Sequence, residues 1–274
     1  MKALPWSAAA CGAAVVLLAG CAGAPAVPDL PAGVAVDYQL GGDYEPADDV
    51  RVVVRDWYAG VPLERDDAYS LCYVNAFQTQ ADDPGADRPD EDRAWPAGLV
   101  LAGLEDPGWP GEHLIDLGTE DSREAAAEHL AQMVDTCADK GFDAVELDNL
   151  DSWTRFDDRP EVVPFGEQDA LAYAGLLADL AHDRGLAVAQ KNTPGLSAQQ
   201  VADVGFDLAV VEECGRYDEC DAYAAVHGDR LLVVEYTDEG LARACEALGD
   251  RVAVVLRDAG LSVPGSPGYR AERC

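Results

Sequence analysis

The sequence predicts an α/β protein folded as a single-domain (β/α)8 TIM barrel, and two patterns favour this class. Short apolar, β-branched runs recur eight times along the chain, and amphipathic stretches of helical period separate several of them. Alternation of strands and helices indicates a parallel sheet, and eight strands within ~225 residues favour closure into a barrel. A doubly wound open sheet is the alternative, but it usually has a glycine-rich phosphate turn after its first strand. Here that strand continues into Tyr38-Gln39-Leu40-Gly41-Gly42.

The predicted elements follow one another at short intervals. Gly141, Gly185 and Gly205 lie just beyond the ends of three predicted helices, where a left-handed residue commonly ends a helix. Segment 78–113 has no clear period and is predicted to be a long loop over the barrel mouth. The strands are expected at 34–38, 52–55, 69–74, 144–148, 187–191, 208–212, 231–235 and 252–256, and the helices at 123–140, 167–184, 197–204 and 238–248.

Residues 1–20 are typical of a targeting segment rather than of a folded domain. Lys2 supplies a positive charge, and a short apolar run leads into Leu18-Ala19-Gly20-Cys21, which resembles the lipobox of bacterial lipoproteins. The sequence therefore predicts a signal peptide at 1–20, a lipid on Cys21, a tether at 21–32 and the barrel at 33–274. Such a protein would be exported and lipid-anchored to the outer face of the cell membrane. An ordinary secretory signal with an incidental cysteine is the alternative.

The charge balance is strongly acidic, with 19 basic and 52 acidic residues and a formal net charge of −33. Such a surface repels nucleic acid and anionic lipid headgroups. We therefore expect no nucleic-acid partner and contact with a membrane only through the lipid anchor. The surface would attract a polycation, although an acidic surface can equally serve solubility in a salty habitat. The protein is expected to be a monomer.

Six cysteines remain once Cys11 in the signal and Cys21 at the anchor are set aside. An even number in an exported protein indicates disulfide bonds. The chain has no C-x2-C pair and no H-x3-H spacing, so neither a metal nor a cofactor is expected. The expected disulfide pairs are Cys214 with Cys220, Cys72 with Cys137, and Cys245 with Cys274.

A polar or ionisable residue ends or directly follows each predicted strand. In a TIM barrel the carboxyl ends of the strands form the edge on which active sites are built. One such residue would mean little, but eight in succession indicate a functional edge. The strand-end residues are Tyr38, Asp56, Asn75, Asp148, Lys191, Glu212, Glu235 and Arg257.

Paired carboxylates at this edge point to glycoside cleavage, in which one acid attacks or activates water and the other protonates the leaving oxygen. Alternation places Glu146 and Asp148 on one face of the fourth predicted strand. Lys191 and Asn192 end the next strand, and a lysine there would keep Asp148 ionised. Glu212 ends the sixth strand between apolar neighbours, so a raised pKa is expected for it. The chain has 52 acidic residues, and chance pairing of carboxylates is the competing explanation.

The motifs at these strand ends resemble glycoside hydrolase family 114, the endo-α-1,4-polygalactosaminidases. The family's G-x-E-P-D-N-x-D motif is matched by residues 144–151, which keep the acids and the asparagine. Its N-E-Q-C and Y-D-E-C blocks are matched at 211–214 and 217–220, and its V-E-Y motif is at 234–236. The resemblance runs in order along residues 36–240.

The resemblance implies a hydrolase of α-1,4-linked galactosamine polymers, which are cationic when de-acetylated. It implies that Asp148 and Glu212 are catalytic, and we assign them as nucleophile and acid/base. A retaining pair would hold its carboxyl carbons about 5–6 Å apart. The candidate substrate-binding residues are Asp56, Asp151 and Glu235 for ammonium or hydroxyl groups, Tyr38, Tyr73, Tyr236 and Trp109 as stacking faces, and Asn149, Lys191 and Asn192 between them.

The chain also departs from the family pattern near the expected groove. Residues 75–78 replace the family's S-A-G turn, and Arg88-Pro89-Asp90 follows a longer acidic insert. Tyr38 replaces a tryptophan, and Thr193 replaces the aspartate of K-N-D. The resemblance therefore leaves the polymer open.

Two other functions are compatible with the same residues. One is a surface carbohydrate-binding lipoprotein on a barrel without turnover, but both carboxylates of the catalytic pair are present. The other is a Mg²⁺ or Ca²⁺ site built from Glu146, Asp148 and Asp151, as in a phosphoesterase. Lys191 at the same mouth argues against a cation site.

Overall fold

The computed structural model describes residues 26–80, 95–156 and 158–274, and its main feature is a parallel barrel. The strands are β1 (Ala35–Tyr38), β2 (Val50–Asp56), β3 (Tyr69–Asn75), β4 (Val100–Glu105), β5 (His113–Ile115), β6 (Ala144–Asp148), β7 (Ala187–Lys191), β8 (Leu208–Glu212), β9 (Leu231–Glu235), β10 (Ala253–Arg257) and β11 (Ala271–Arg273). Eight of them, β1–β3 and β6–β10, pair in parallel and in chain order. β1 and β10 lie side by side and are joined by an ion pair between Arg257 and Asp37, so the sheet curls into the predicted barrel.

Helices cover the outside of the barrel. They are α1 (Glu120–Lys140), α2 (Glu167–His182), α3 (Ala198–Val204), α4 (Cys214–Tyr217), α5 (Cys220–His227) and α6 (Asp238–Leu248). Gly141 and Gly205, at the ends of α1 and α3, have φ values of 87° and 90°, so the predicted left-handed ends are confirmed. Among the described residues, no helix combines the length and apolar character needed to cross a bilayer.

Two apolar cores follow from the alternation of side chains along the strands. The barrel interior is filled by residues such as Val54, Leu71 and Val210. A larger core lies between the strands and the helices, mainly α1 and α2. Because inward-facing residues alternate with outward-facing ones, the last inward residue of a strand reaches the barrel mouth.

The three predicted disulfide bonds are confirmed. Cys72–Cys137 joins β3 to α1, Cys214–Cys220 closes the turn after β8, and Cys245–Cys274 ties α6 to the C-terminus. Cys11 and Cys21, together with the predicted signal peptide and the Arg88-Pro89-Asp90 segment, lie outside the described residues.

Segment 78–113 is not the continuous loop that the sequence predicts. β4 and β5 form a separate antiparallel pair beside the barrel, although residues 81–94 are not described. β4 is short, half-exposed and interrupted by Gly103, so its strand pattern is weak. β11 was also not predicted, because its residues are mostly polar; it pairs with β10 and directly precedes the disulfide-bonded Cys274. α4 and α5 are α-helices that the sequence did not predict, and both are short.

Candidate active site

A buried lysine stands at the centre of the barrel mouth. Lys191, at the end of β7, is only 3% exposed. Its Nζ donates hydrogen bonds to Glu146 Oε1 and Asp148 Oδ1, both at 2.8 Å, and lies 3.5 Å from Glu212 Oε2. Because β6, β7 and β8 are neighbours in parallel register, their last inward residues converge on this one ammonium group. The structure therefore brings together the carboxylates that the sequence predicts to be catalytic.

Each of these three carboxylates also accepts a hydrogen bond from a tyrosine hydroxyl. Tyr38 donates to Glu146 Oε1 at 2.6 Å, and Tyr73 donates to Asp148 Oδ2 at 2.6 Å. Tyr236 donates to Glu212 Oε1. Tyr38 and Tyr73 lie on other strands than their acids, and Tyr236 directly follows β9, so the network joins the strands across the mouth.

The charges at this centre shift the pKa values of its members in different directions. Burial acts to lower the pKa of Lys191, but the surrounding carboxylates, Asp148 first, raise it well above its usual value. Burial acts to raise the pKa of Asp148, but the Lys191 ammonium outweighs it and lowers that pKa, as the sequence predicts. Burial raises the pKa of Glu146 in spite of Lys191, and Glu146 Oε2 is buried without a hydrogen-bond partner. Asp148 is therefore held ionised, whereas Glu146 is buried beneath it, deeper in the barrel.

Glu212 has polar surroundings, which corrects the apolar environment expected for it. Besides Tyr236 and Lys191, it is held by Asn192, whose Nδ2 donates to Glu212 Oε2 at 3.2 Å and whose Oδ1 accepts from Glu212 N at 2.8 Å. The Glu212 side chain is 28% exposed, compared with 17% for Asp148. A substrate in the mouth can therefore reach both carboxylates, and Glu212 is the more open of the two.

A left-handed residue directly follows each of the three central strand ends. Asn149, Asn192 and Glu213 have φ values of 65°, 48° and 57°. Asparagine tolerates this conformation better than most residues, whereas glutamate rarely adopts it. The sharp turn sends the chain away from the mouth and leaves the preceding side chain at its edge.

The turn after Glu212 is held from below by a buried glutamate. Glu235 accepts a hydrogen bond from Gly215 N at 2.7 Å and is fully buried. A Cβ atom on Gly215 would lie 2.3 Å from Gly240 O, so only glycine allows α4 to pack this closely on α6. The structure therefore places Glu235 behind the site and not at the mouth, contrary to its predicted substrate-binding role.

One wall of the mouth is a polar network that sequence reasoning largely missed. Asn149 donates to Asn75 Oδ1 at 2.9 Å and accepts from Arg155 Nη2 at 2.8 Å. Arg155 also pairs with Asp151 at 3.0 Å. Asn75 Nδ2 in turn donates to Glu112 Oε2 at 3.1 Å. Asn149 and Asp151 thus lie at the mouth as predicted, but both are already engaged by Arg155 or Asn75.

Glu112 is an acid at the mouth that the sequence patterns did not predict. It is partly buried in the turn between β4 and β5. Burial, together with the charges of Asp148 and Asp106, raises the pKa of Glu112 to about 7. Its carboxyl group therefore changes charge within the physiological pH range.

The mouth opens into a cavity of about 930 Å³, large enough for more than one sugar unit. Its charged lining is dominated by carboxylates. Three large apolar side chains of the described residues are strongly exposed, and two of them, Trp109 at 61% and Tyr217 at 57%, lie on the cavity rim. The acidic lining residues are Asp56, Glu112, Asp148, Asp151, Glu212, Glu213 and Glu219, and the basic ones are Lys191 and Arg155.

The remaining predicted residues have mixed positions. Asp56 lines the cavity but also accepts hydrogen bonds from Tyr58 N and Ala59 N, so it shapes the turn after β2. Tyr38 lines the bottom of the cavity and is 1% exposed, so its ring offers no open stacking face. Arg257 is fully buried in its ion pair with Asp37. Tyr73 and Tyr236 line the cavity and are partly exposed.

The geometry fits a metal site poorly. Within the described ranges, one cluster brings three possible ligand atoms within 4.8 Å of one another, Cys214, Cys220 and Glu235, but the two sulfurs are bonded to each other. The Mg²⁺ or Ca²⁺ site considered for Glu146 and Asp148 is unsuitable for a different reason. The Lys191 ammonium already lies 2.8 Å from both carboxylates, where a cation would bind.

Comparison with solved structures identifies similar barrels. Ega3 of Aspergillus fumigatus, solved in complex with galactosamine, matches with a TM-score of 0.69 and 22% identity, over 92% of this chain and 98% of that chain. The glycoside hydrolase domain of PelA from Pseudomonas aeruginosa matches with a TM-score of 0.59 and 15% identity, over 85% of this chain and 97% of that chain. At these identities the matches establish the barrel fold. No curated protein sequence matches the chain significantly.

A family model supplies the remaining comparison. The model of glycoside-hydrolase family GH114 matches residues 19–274, which span the whole barrel and every member of the Lys191-centred site. The resemblance inferred from the strand-end motifs is thereby confirmed at the level of the family. The chain belongs to glycoside-hydrolase family GH114 and is a glycoside hydrolase.

Proposed function

We propose that this enzyme cleaves a galactosamine-containing polysaccharide, α-1,4-linked as the family resemblance implies, with Asp148 and Glu212 as its catalytic pair. The observation that carries the proposal is that both carboxylates approach Lys191 Nζ, Asp148 at 2.8 Å and Glu212 at 3.5 Å. All three side chains line the open cavity. Two acids that approach the same nitrogen lie close together. Such closeness is typical of retaining glycosidases, whose carboxyl groups are about 5–5.5 Å apart.

The contacts of the two acids support different roles in a retaining mechanism. Asp148 is stabilised as an anion by Lys191 and Tyr73, so it is the better nucleophile toward the anomeric carbon. Glu212, which is more open to the cavity, would protonate the leaving oxygen while Asp148 forms the glycosyl–enzyme bond. Glu212 would then remove a proton from water, which attacks the same carbon and releases Asp148.

The charge of the cavity favours a cationic substrate. Seven acidic side chains and two basic ones line it, within a chain whose net charge is −33. A cleft lined by one sign of charge concentrates ligands of the opposite sign. A de-acetylated galactosamine polymer carries ammonium groups and fits this lining, and Ega3, which has a similar fold, was solved with galactosamine.

The test is hydrolysis of acetylated and de-acetylated galactosaminoglycan by residues 22–274. Wild-type protein should release oligosaccharides from the de-acetylated polymer, while Asp148→Asn and Glu212→Gln should not. Asp203→Asn and Glu246→Gln are matched controls, because both residues are exposed on outer helices. Absence of release by the wild type, with binding that survives both site substitutions, would instead indicate a carbohydrate-recognition protein.

We also propose that Cys21 carries a lipid and that the enzyme is anchored to the outer face of the cell membrane. The support is the Leu18-Ala19-Gly20-Cys21 motif at the end of an apolar run. Mass spectrometry of the mature N-terminal peptide should show an acylated Cys21, and Cys21→Ser should release the protein into the medium. An unmodified peptide that begins at another residue would overturn the proposal.

A further inference from the structure

The first described residues close the amino-terminal end of the barrel. Leu30 is 7% exposed and belongs to the core inside the barrel, and Val27 packs against the same core. Pro28 O accepts a hydrogen bond at 3.3 Å from the hydroxyl of Tyr69, the first residue of β3. The chain therefore crosses the end of the barrel at which the parallel strands begin.

Two further observations place this segment at the same end. Burial raises the pKa of Tyr69, and the nearby negative charges of Asp143, Asp207 and Asp29 raise it further; Asp143 and Asp207 directly precede β6 and β8. A Cβ atom on Gly33, whose φ is +62°, would lie 2.3 Å from the backbone oxygen of Asp250, just before β10. The segment thus runs beneath the strand starts and is packed tightly there.

The active site lies at the opposite end. Asp148, Lys191 and Glu212 are the last residues of β6, β7 and β8. A strand of five residues spans ~17 Å, and the loops and side chains of the mouth add to this separation. On the outside of the barrel, the 21-residue helix α1 is about 32 Å long.

The chain between the predicted lipid and the barrel is short. Residues 22–25 separate Cys21 from Ala26, the first described residue. Fully extended, the five steps from Cys21 to Ala26 reach about 17 Å. The stretch from Cys21 to Ala26 is therefore too short to run along the outside of the barrel to the mouth, because α1 on that outer surface is itself about 32 Å long.

The end of the barrel at which the parallel strands begin, crossed by residues 27–33, is called the barrel floor. We propose that the anchored enzyme holds this barrel floor toward its own membrane and its active-site mouth away from it. The proposal rests on the lipid anchor proposed above for Cys21. It follows that the glycosidic bonds within reach of the mouth lie about the height of the barrel or more away from the anchoring leaflet, on a polysaccharide outside the cell. A glycan of only a few sugar units linked to a lipid of the same membrane would not reach the mouth.

The orientation can be measured by energy transfer in vesicles that carry the full lipidated protein. An azide-bearing amino acid replaces Asp29 or Asp250 at the barrel floor and, in separate variants, Tyr217 or Trp109, which are exposed on the cavity rim. The same donor dye is coupled to each, and the vesicles contain an acceptor on the lipid headgroups. With a pair of short Förster distance, transfer from the floor positions should exceed transfer from the mouth positions about twofold or more, given a height difference of at least ~17 Å.

Two controls separate the possible failures. The same four variants with Cys21→Ser should show no transfer, because they are not anchored. Insertion of a flexible linker of ~20 Gly and Ser residues between Pro25 and Ala26 should remove the difference, since the barrel can then turn over. Equal or greater transfer from positions 109 and 217 than from positions 29 and 250, without the linker, would overturn the orientation. Absence of transfer from all positions, with an unmodified Cys21, would refute the anchor and leave the catalytic proposal untouched.

Discussion

Carboxylates cluster at both ends of the barrel, but their partners differ. At the barrel floor, where the strands begin, Asp143 accepts a hydrogen bond from Ser70 N at 2.8 Å. Asp207 accepts one from Val188 N at 2.8 Å and pairs with His182. At the mouth, Asp148 and Glu212 are held mainly by the side chains of a lysine, an asparagine and two tyrosines. Backbone donors cannot change their charge or leave their position in the sheet.

The kind of hydrogen-bond partner distinguishes a carboxylate with a structural role from one that takes part in the reaction. An acid that accepts hydrogen bonds from strand backbone stabilises the register of the sheet. An acid that faces hydroxyl and ammonium groups can gain or lose a proton while its partners stay bonded to it. We therefore expect substitutions at the mouth to reduce turnover with little loss of stability and substitutions at the floor to do the reverse.

The largest effect is expected for Asp148→Asn. The neutral amide cannot attack the anomeric carbon, so turnover should fall on the order of 10⁴-fold or more. Reducing-end release from the de-acetylated polymer measures it, and the unfolding transition should remain close to that of the wild type. Turnover within about tenfold of the wild type would remove Asp148 from the reaction.

Glu212→Gln should reduce turnover by a factor that depends on the leaving group of the substrate. General acid catalysis contributes about 10²–10⁴-fold, so cleavage of a sugar leaving group should fall by this amount. A substrate with an acidic aryl leaving group needs no protonation, and its first step should be nearly unaffected. Burst kinetics would show fast release of the aryl group followed by slow deglycosylation. An equal loss for both substrates would contradict the acid/base role.

The sequence was sufficient to predict the barrel and most of its mouth, because both depend on alternation along short strands. Every predicted barrel strand is present, and inward-facing residues such as Val210 and Ala189 set the phase that brings Glu212 and Lys191 to the mouth. The same rule shows why Glu235 was misplaced. Val234 faces the interior, so Glu235 must face outward, toward α4 and α6.

The wall of the mouth could not be predicted in this way, because its contacts join segments far apart in sequence. Glu112 lies in a turn outside the barrel, lines the cavity and is bonded there to Asn75. Arg155 follows β6 in an irregular segment, and nothing local indicates that it will bind Asn149 and Asp151. The asparagines at left-handed positions after strand ends are the one local signal that could have marked these turns.

A smaller effect on turnover is expected when one hydroxyl is removed at the mouth. Tyr73→Phe removes a donor from the Asp148 carboxylate, and a hydrogen bond to a charged group is worth about 1.5–3 kcal/mol. Turnover should fall about tenfold or more, and the acid limb of the pH profile should move to higher pH because ionised Asp148 has lost a donor. Tyr69→Phe is the matched control, since Tyr69 begins the same strand at the floor. Equal losses in both variants would contradict the comparison of the two ends.

Glu112→Gln should change binding more than turnover. The pKa of Glu112 is raised by burial to about 7, so the wild-type cavity gains a negative charge as pH rises through 7. KM for a cationic oligosaccharide should therefore fall over that range in the wild type and stay at its low-pH value in the variant. An ion pair with partial solvent access is worth up to about 1 kcal/mol, or about fivefold in KM. The same pH dependence of KM in Glu112→Gln would assign the titration to another group.

The smallest effect on turnover is expected at the floor, where Asp143→Ala should act on stability alone. Ser70 N, at the start of β3, would lose its acceptor, and a buried unsatisfied donor costs about 1–3 kcal/mol. Asp143→Asn keeps an oxygen in the same position and should retain most of that stability. Chemical denaturation measures the difference between the two variants, and kcat at a temperature well below both transitions should equal that of the wild type. A loss of kcat in Asp143→Ala without a loss of stability would show that the floor acids contribute to the reaction, and that the division between backbone-held and side-chain-held carboxylates does not hold in this barrel.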